Sequence, residues 1–305
     1  MKINATDITN VYYNGNADAL YKGDNKIWPS QEHYTEIVVD LSLRKGKPNN
    51  TQFALILNDY MDSEVDVDYK KVDWGDGAVT YGVDGHEYKD NGIYTIKFGC
   101  YYSTRLNEEY VPCIIKLNRL NDIGYTSLED LFNGCTNLTS DREIVIPKKV
   151  TSIRNMFKGC TNFNGKVILQ NGITNCTSAF EDCTSFNQPI TIPSTATACM
   201  SMFEGCTSFN QPIELPLSVT NCLSMFKNCT AFNQPIELPL SVTDCSQMFR
   251  GCTALTSVIS NWNKTYTKSI KTTNCYLGCT SIDTIDGNPG TLDNIPTTWG
   301  GKLAV

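Results

Sequence analysis

The cysteines of this chain recur at an almost constant spacing, which limits the possible folds more than any other feature of the sequence. One series of seven cysteines, each followed by Thr, has separations of 25, 23, 23, 23, 23 and 27 residues, at Cys135, Cys160, Cys183, Cys206, Cys229, Cys252 and Cys279. A second series keeps a step of 23 residues, at Cys176, Cys199, Cys222 and Cys245. A period between about 20 and 50 residues is typical of proteins in which each repeat buries its apolar face against its neighbours. The sequence therefore predicts a repeat protein.

One part of each repeat has apolar residues at the spacing of a helix. Between Cys222 and Cys229 they fall at positions i, i+3, i+4 and i+7, which would place them on one face of a short helix. Thr220 or Asn221 is suited to cap the start of that helix, because its side-chain oxygen can accept a hydrogen bond from the first turn. We predict a short helix in each repeat.

Another part of each repeat alternates apolar and polar residues, as a strand with one buried face does. Ile213-Glu214-Leu215 is one example, and Pro212 and Pro216 flank it. Since proline has no N–H to donate to a ladder, each strand is predicted to be about three residues long. Stacked repeats would then form one parallel sheet, with the short helices on the opposite side.

The repeated phenylalanines and cysteines are the predicted core. Two sets of equivalent positions belong to it, Phe186, Phe209 and Phe232 in one and Cys183, Cys206 and Cys229 in the other. Buried cysteine behaves as a small hydrophobe, and we expect reduced thiols. A metal site is disfavoured because there is no C-x-x-C pair and no histidine after residue 86. Disulfides between neighbouring repeats stay open as an alternative, since equivalent positions on adjacent strands lie about 5 Å apart.

The motif F-x-G-C-T-x-F … I-x-L-P-x-S-V-T-x-C recurs over residues 118–290. It resembles the BspA-like leucine-rich repeats of bacterial and phage surface proteins. That family implies an α/β solenoid of 23-residue leucine-rich-type repeats, with short parallel strands and short helices, used for adhesion. The solenoid with a C-terminal cap is assigned to residues 118–305. The sequence differs from the family in having Cys and Met where the helix usually carries Ile, Gly or Ala, and in the Gln-Pro before the strand.

Residues 30–117 combine alternating strands with three short motifs. The motifs are Val72-Asp73-Trp74-Gly75-Asp76-Gly77, His86-Glu87-Tyr88 and Gly92-Ile93-Tyr94-Thr95-Ile96. In this order they resemble the PKD (polycystic kidney disease) domain, which implies an immunoglobulin-like β-sandwich in front of the repeats. Gly-Asp-Gly favours a tight turn between two of its strands.

Three aspartates of this region, Asp73, Asp76 and Asp84, are a candidate calcium cluster. Turn formation is the commoner role of aspartate in such positions, so we predict no metal and no cofactor. His86 is predicted to be a packing residue. Neither it nor His33 lies in a recognisable nucleophile motif, and no glycine-rich phosphate loop is present. We therefore predict no catalytic residues and no enzymatic activity.

Residues 1–29 form a third unit that is too short to fold alone. Two or three brief strands with Asn-Gly and Gly-Asp turns are predicted, and Trp28 must be buried against another surface. The pattern V-Y-x-N-G … L-Y-K-G-D-x-K-I-W resembles the leader segments of tailed-phage structural proteins. This resemblance implies a β-hairpin attachment segment that contacts other virion proteins.

The net charge of −7 comes from 25 basic and 32 acidic residues, and the basic residues do not cluster. A nucleic-acid surface needs such a cluster to neutralise phosphates, so nucleic-acid binding is disfavoured. No apolar run approaches the roughly 18 residues of a membrane span. The first residues also lack the apolar stretch of a secretory signal. We expect synthesis in a cytoplasm without membrane insertion.

Together these features favour a non-enzymatic virion protein of a bacteriophage, such as a tail or head fibre or another appendage. The N-terminal segment would attach to other virion proteins, the sandwich would act as a spacer, and the repeats would contact a glycan or protein on the host surface. A bacterial cell-surface adhesin and an intracellular scaffold are the alternatives. Genomic neighbourhood would separate the first two, and self-association is left open.

The repeat surface over residues 160–250 is mostly Thr, Ser, Asn, Gln and Pro, which suits weak, repeated contacts with polar ligands such as glycans. The residues predicted to border the ligand-facing surface are Gln211, Glu214, Gln234 and Glu237. Packing of this face on another subunit, or a bare face, is the alternative. The two glutamates share one column, and like charges stacked in this way are a tolerated surface cost rather than an acid–base pair.

Overall fold

The structure is a computed structural model that describes residues 10–13, 17–22, 25–28, 34–44, 52–54, 71–81, 85–98, 110–120, 126–258, 270–285 and 288–289. The strands are β1 (Asn10–Tyr13), β2 (Ala17–Lys22), β3 (Asn25–Trp28), β4 (Thr35–Asp40), β5 (Gln52–Ala54), β6 (Lys71–Asp73), β7 (Val79–Tyr81), β8 (Gly85–Glu87), β9 (Ile93–Phe98), β10 (Ile114–Arg119), β11 (Ile144–Val145), β12 (Val167–Ile168), β13 (Ser257–Val258), β14 (Thr284–Ile285) and β15 (Asn288–Pro289). Within these residues the helices are two short 3-10 helices, Leu41–Leu43 and Val111–Cys113. No helix in the described ranges has the length and apolar character needed to cross a membrane.

The first three strands form an antiparallel sheet in the order β1-β2-β3. Val11 lies opposite Leu20, and Tyr21 lies opposite Lys26. Three short strands thus occupy the segment for which the sequence predicts two or three. The side chains of this sheet lie outside the described residues, and so does the predicted burial of Trp28.

The chain between residues 34 and 120 contains an antiparallel five-stranded sheet in the order β10-β4-β9-β6-β7. β4 shows why these residues form a strand, because Ile37 and Val39 are fully buried while the residues between and beside them are half-buried. β9 pairs with β4 along its whole length and places Ile96 opposite Ile37. A separate antiparallel pair, β5 and β8, adds Phe53 to the same core.

The Gly-Asp-Gly motif forms the turn between β6 and β7. Its first glycine, Gly75, has φ = +81°, and a Cβ atom there would lie 2.4 Å from the carbonyl oxygen of Thr95. The carboxylates of Asp73 and Asp76 accept hydrogen bonds from the backbone N–H groups of Gly75 and Ala78, each at 3.0 Å. This local bonding is what makes aspartate common in turns, and it is the turn role predicted for both residues.

β10 belongs to the five-stranded sheet and also begins the stack of repeats. It pairs with β4, and in addition the Leu117 N–H donates to the Thr139 carbonyl while the Thr139 N–H donates to the Ile115 carbonyl. The boundary predicted between residues 117 and 118 falls inside this strand. The sheet and the first repeat therefore share one hydrogen-bonded ladder, and the sheet covers the first repeat as a capping unit does.

Residues 126–258 and 270–285 form stacked coils, one per repeat, which we call the repeat stack. Parallel bridges join one residue of each coil to the next, at Ser127, Ser152, Asn175, Ala198, Asn221, Asp244 and Lys271. Alternate N–H groups then donate to the following coil, as Cys222 does to the Asp244 carbonyl and Phe226 to the Met248 carbonyl. We call this part of each coil, residues 221–229 in one example, the turn segment.

The prediction of a short helix in each repeat is wrong. In the turn segment Ser224 has φ = +55° and Asn228 has φ = +60°, and an α-helix of L-residues does not continue through left-handed positions. Two successive turns take its place, the first closed by the Met225 N–H donating to the Cys222 carbonyl at 3.1 Å. Two successive turns also bring positions i, i+3, i+4 and i+7 to one buried side. The apolar spacing therefore reflects a pair of turns and not a helix.

The prediction of one parallel sheet along all the repeats is also wrong. In the described residues, strands pair near that position only toward the ends of the repeat stack, where β11 lies beside β12 and β13 beside β14. Residues 190–192, 213–215 and 236–238 keep the predicted alternation of buried and exposed side chains but form no strand. Prolines on both sides of these segments lack the N–H that a ladder needs. The turn segments and side chains connect the central coils instead.

Two columns of aromatic rings lie at the centre of the repeat stack. Phe186, Phe209 and Phe232 are fully buried, and their ring centroids are 5.9 Å and 6.2 Å apart from one coil to the next. The second column is Phe157, Phe180, Phe203, Phe226 and Phe249, also buried. Within a coil the two columns touch, as Phe203 and Phe209 do at 4.4 Å between centroids. The four central coils thus contribute two rings each, and these rings pack on the equivalent positions of the neighbouring coils.

Candidate binding surface

Threonines along the repeat stack bond to the coil before their own. Thr184, Thr207 and Thr230 follow repeated cysteines, and each hydroxyl donates to the carbonyl of the threonine one coil earlier at 3.2–3.3 Å. Thr197 and Thr220 belong to a second column with the same bonds. These hydroxyl oxygens keep lone pairs that can accept hydrogen bonds, but their hydrogens stabilise the stack.

The Asn-Gln pair of the repeat forms a row of amide hydrogen bonds. The side-chain oxygen of Asn187 accepts from the Asn210 N–H at 2.9 Å and from the Gln211 side-chain amide at 3.1 Å. The Asn210 oxygen accepts from the Asn233 N–H and the Gln234 amide in the same way. Gln211 and Gln234, predicted to border a ligand, are half-buried members of this row, and their amides hold adjacent coils together.

The two glutamates predicted for the ligand-facing surface are placed differently. Glu214 and Glu237 are exposed and occupy the same position in neighbouring coils, where the coil before them has the exposed Thr191. In the described part of the chain neither carboxylate takes part in an ion pair. Two uncompensated negative charges therefore lie one coil apart.

Other glutamates of the repeat stack are paired with a cation one coil away. The Glu181 carboxylate lies 2.8 Å from the Lys158 ammonium, and the Glu204 carboxylate lies 2.6 Å from the Lys227 ammonium. Pairs near the surface contribute only about 0–1 kcal/mol of stability, but they cancel charge locally. The two exposed glutamates carry a charge that these ion-paired residues do not present.

Two leucines, each three residues after an exposed glutamate, are among the most exposed large apolar side chains of the described residues. Leu217 is 84% exposed and Leu240 is 64% exposed. The sequence-based surface prediction did not include them. The sequence does set these two positions apart. Both leucines follow Ile-Glu-Leu-Pro, whereas the preceding coil has Ile-Thr-Ile-Pro followed by Ser194. We call Glu214, Leu217, Glu237 and Leu240 the Glu/Leu strip.

The repeated thiols lie inside the stack and away from this strip. Cys183, Cys206 and Cys229 are fully buried, and each S–H donates to a phenylalanine carbonyl at 2.9 Å. Burial raises the pKa of all three thiols, which keeps them protonated and unreactive. Among the described residues no three His, Cys, Asp or Glu side chains converge as metal ligands. Packing accounts for these cysteines.

A cluster of polar and aromatic side chains lies where β8 meets the turn between β6 and β7. His86 Nε2 is 2.7 Å from Asp76 Oδ2, and the His86 ring stacks on Trp74 with centroids 5.2 Å apart. The Tyr88 hydroxyl donates to the Trp74 carbonyl at 3.0 Å. Burial acts to raise the pKa of Asp76, but its hydrogen bonds, chiefly that with His86, lower the pKa overall. Asp84, the third aspartate of the calcium hypothesis, lies outside the described residues.

The repeat stack matches a known sequence family. The profile described as "Mycoplasma protein of unknown function, DUF285" matches residues 126–237 and again residues 216–282. The two matches together span more than half of the chain. This chain belongs to the DUF285 family. The described residues within these matches are those that form the coils, so the DUF285 repeat of this protein is the coil with its turn segment.

Solved structures similar to this DUF285 protein include bacterial leucine-rich repeat proteins. One from Bacteroides ovatus ATCC 8483 is 17% identical, covers 74% of this chain and 70% of its own, and has a TM-score of 0.40. The T. pallidum protein TpLRR is 19% identical, covers 57% and 74%, and has a TM-score of 0.34. A leucine rich cell surface protein from Faecalibacterium prausnitzii A2-165 is 16% identical, covers 74% and 89%, and has a TM-score of 0.27.

The comparison with curated proteins finds no match. At these TM-scores the structural likeness carries no conclusion about function. None of the three similar structures is described as a phage protein or as containing a PKD domain. The phage placement and the PKD resemblance therefore stay predictions.

Proposed function

We propose that this DUF285 protein is a non-enzymatic binding protein that adheres to a partner surface through its repeat stack. The Glu/Leu strip carries the proposal. It presents two unpaired carboxylates and two exposed leucines on neighbouring coils, although burial or an ion pair would be more favourable for the stack alone. Exposed apolar side chains grouped with polar ones are typical of an interaction site.

The frame behind the strip supports this use. Asn187 and Gln211 tie adjacent coils together by side-chain hydrogen bonds, and Phe209 packs between the rings of the coils on either side. A rigid surface loses little conformational entropy when it binds. Equivalent groups on successive coils also let weak contacts add through multivalency.

A finer architecture belongs to the same proposal. We propose that the repeat stack is a solenoid of the leucine-rich-repeat kind and that residues 30–117 are a PKD-like, immunoglobulin-like sandwich. Its two antiparallel sheets and the Asp-rich turn between β6 and β7 support the second assignment. The ladder through β10 supports its use as a spacer that also caps the stack.

Two locations remain as proposals. A phage virion appendage rests on the pattern of residues 1–29, whose side chains lie outside the described residues. The bacterial cell surface is the second location, and a family described from Mycoplasma supports a bacterial source without naming a location. Immunogold labelling with an antibody to the full chain separates them, because gold on phage particles supports the first and gold on the cell envelope supports the second.

The binding proposal is tested with labelled full-length protein on intact bacterial and epithelial cells. Two paired variants place lysines on the stack, Glu214→Lys with Glu237→Lys on the strip and Ser185→Lys with Ser208→Lys at other exposed positions. Ile93→Lys, at an exposed residue of the sheet, is the matched control. We expect saturable binding that at least one stack variant weakens about tenfold, or roughly 1.4 kcal/mol, while the control does not. Absence of saturable binding on every cell type, or a loss confined to the control, would contradict the proposal.

A further inference from the structure

We infer that the Glu/Leu strip binds a basic polypeptide segment that presents Lys or Arg beside an apolar residue, an inference that rests on the proposed binding function. Glu214 and Glu237 have no cation partner among the described residues, whereas Glu181 and Glu204 each have a lysine one coil away. Like charges at directly neighbouring positions are unfavourable for the protein by itself. Cationic groups of a partner would supply the charge that the stack does not.

The leucines define the second half of the partner's chemistry. Leu217 and Leu240 are 84% and 64% exposed and repeat at the same one-coil step as the glutamates. A partner that covers them removes apolar surface from water, which favours association. The rings of equivalent phenylalanines on adjacent coils lie 5.9 Å and 6.2 Å apart, which gives the step of the stack. Side chains four residues apart on a helix have a similar separation, about 5–6 Å, so two lysines and two leucines on one helical face match the strip.

The strip is held in place before any partner arrives. Each of its leucines lies between a proline and a serine of the coil. The Ser218 hydroxyl donates to the Ala196 carbonyl and the Ser241 hydroxyl to the Val219 carbonyl, both at 2.6 Å. Preorganisation of this kind lowers the entropy lost on binding.

Other partners fit the strip less well. A second copy would bring four carboxylates together in a two-fold interface, and the chain as a whole has a net charge of −7. An anionic membrane surface would be repelled for the same reason. A neutral glycan would leave the carboxylates uncompensated and the leucines against polar groups. A basic polypeptide satisfies both features.

The test uses the full-length protein and a defined probe, an Ala-rich helical peptide with two lysines four residues apart and two leucines beside them. Two control peptides replace either the lysines with Gln or the leucines with Ser. The strip variant combines Glu214→Thr, Leu217→Ser, Glu237→Thr and Leu240→Ser, which reproduces Thr191 and Ser194 of the preceding coil and should therefore fold. Glu181→Gln with Glu204→Gln is the matched control, since it removes the same charge from ion-paired positions.

We expect calorimetric binding of the Lys/Leu peptide that is at least tenfold weaker for the strip variant and for both control peptides, and unchanged for the matched control. Binding should also weaken as salt is raised, because salt screens exposed charges. Equal affinity for the strip variant, or equal affinity for the Gln peptide, would overturn the inference. So would concentration-dependent dimerisation that the strip variant abolishes, which would identify a second copy as the partner. If the protein binds cells saturably and the strip variant binds them equally, the inference fails while the binding function stands.

Discussion

The five-stranded sheet and the repeat stack both bury large aromatic side chains, but they hold them in different ways. In the sheet the contacts of Trp74 occur once, as when its carbonyl accepts from the Tyr88 hydroxyl. In the stack Phe209 packs between Phe186 and Phe232, and each of these rings has an equivalent partner in turn. The sheet also pairs β4 with β9 and β10, which lie far along the chain, whereas a repeated contact of the stack depends only on adjoining coils. A core substitution should therefore destabilise the whole sheet, but in the repeat stack it should destabilise only the neighbouring coils.

The largest expected effect comes from removing one core ring in each region. Phe209→Ala and Trp74→Ala should each lower the free energy of unfolding by about 3–5 kcal/mol, because a buried aromatic leaves a cavity. Hydrogen exchange should show Phe209→Ala opening only neighbouring coils and Trp74→Ala opening the whole sheet. Leu217→Ala, at an exposed position of the stack, is the control and should change stability by less than about 0.5 kcal/mol. If Phe209→Ala lowers hydrogen-exchange protection in every coil, just as Trp74→Ala does across the sheet, the two regions do not differ in this way.

A smaller effect is expected where a side chain of one coil packs over a glycine of the next. Gly205 has φ = +75°, and a Cβ atom there would lie 2.2 Å from Asp182 Oδ1. Gly205→Ala should cost the roughly 1–2 kcal/mol of a left-handed L-residue together with the clash. Adding Asp182→Gly removes the clash and also relieves the left-handed backbone of Asp182 itself, which has φ = +59°, so Asp182→Gly alone is the reference for that second gain. Gly278→Ala shows the backbone cost alone, since its nearest neighbours are glycine atoms at 3.6 Å. Failure of Asp182→Gly to recover more stability with Gly205→Ala than it adds alone, in denaturant titrations, would contradict this account.

The amide row should contribute less per coil than the aromatic core. Asn187→Ala removes the acceptor of two hydrogen bonds, from the Asn210 N–H and the Gln211 amide. We expect a loss of about 1–2 kcal/mol in chemical denaturation, because a hydrogen bond contributes about 0.5–1.5 kcal/mol net. Asn187→Asp keeps an acceptor oxygen and should retain most of the stability. Equal losses in the two variants would show that the side-chain oxygen is not what matters.

The smallest expected effect is a pH dependence in the sheet. Burial acts to raise the pKa of Asp76, but its hydrogen bonds, chiefly that with His86, lower it overall. A carboxylate with a lowered folded pKa stabilises the protein above its unfolded pKa, and that stabilisation is lost as pH falls through the folded value. Two other titratable groups lie near Asp76. Asp73 belongs to the same turn, and burial raises the pKa of Tyr88, which therefore stays neutral. Urea midpoints followed by tryptophan fluorescence should fall in acid below about pH 4, and less steeply in Asp76→Asn. Identical slopes would exclude Asp76 as the source.

Part of the candidate surface could be predicted from the sequence. Alternation with Ile213 was enough to place Glu214 outward, because side chains of an extended segment point to opposite sides in turn. The bonding of Gln211 was not predictable, because its amide is held by Asn187 of another coil. The exposure of Leu217 was missed because leucine is among the residues most often buried.

What the sequence by itself determined is the 23-residue period and the positions that share a column, because both are spacings along one chain. Two matters were decided only by the tertiary structure. Apolar residues at i, i+3, i+4 and i+7 suit a helix and a pair of turns equally, and the left-handed backbone at Ser224 and Asn228 selects the turns. The ladder between coils forms where N–H groups face the next coil, which is the turn segment rather than the proline-flanked segment. The apolar pattern predicts neither the turns nor the position of the ladder, because the same side chains are buried whichever of these structures forms.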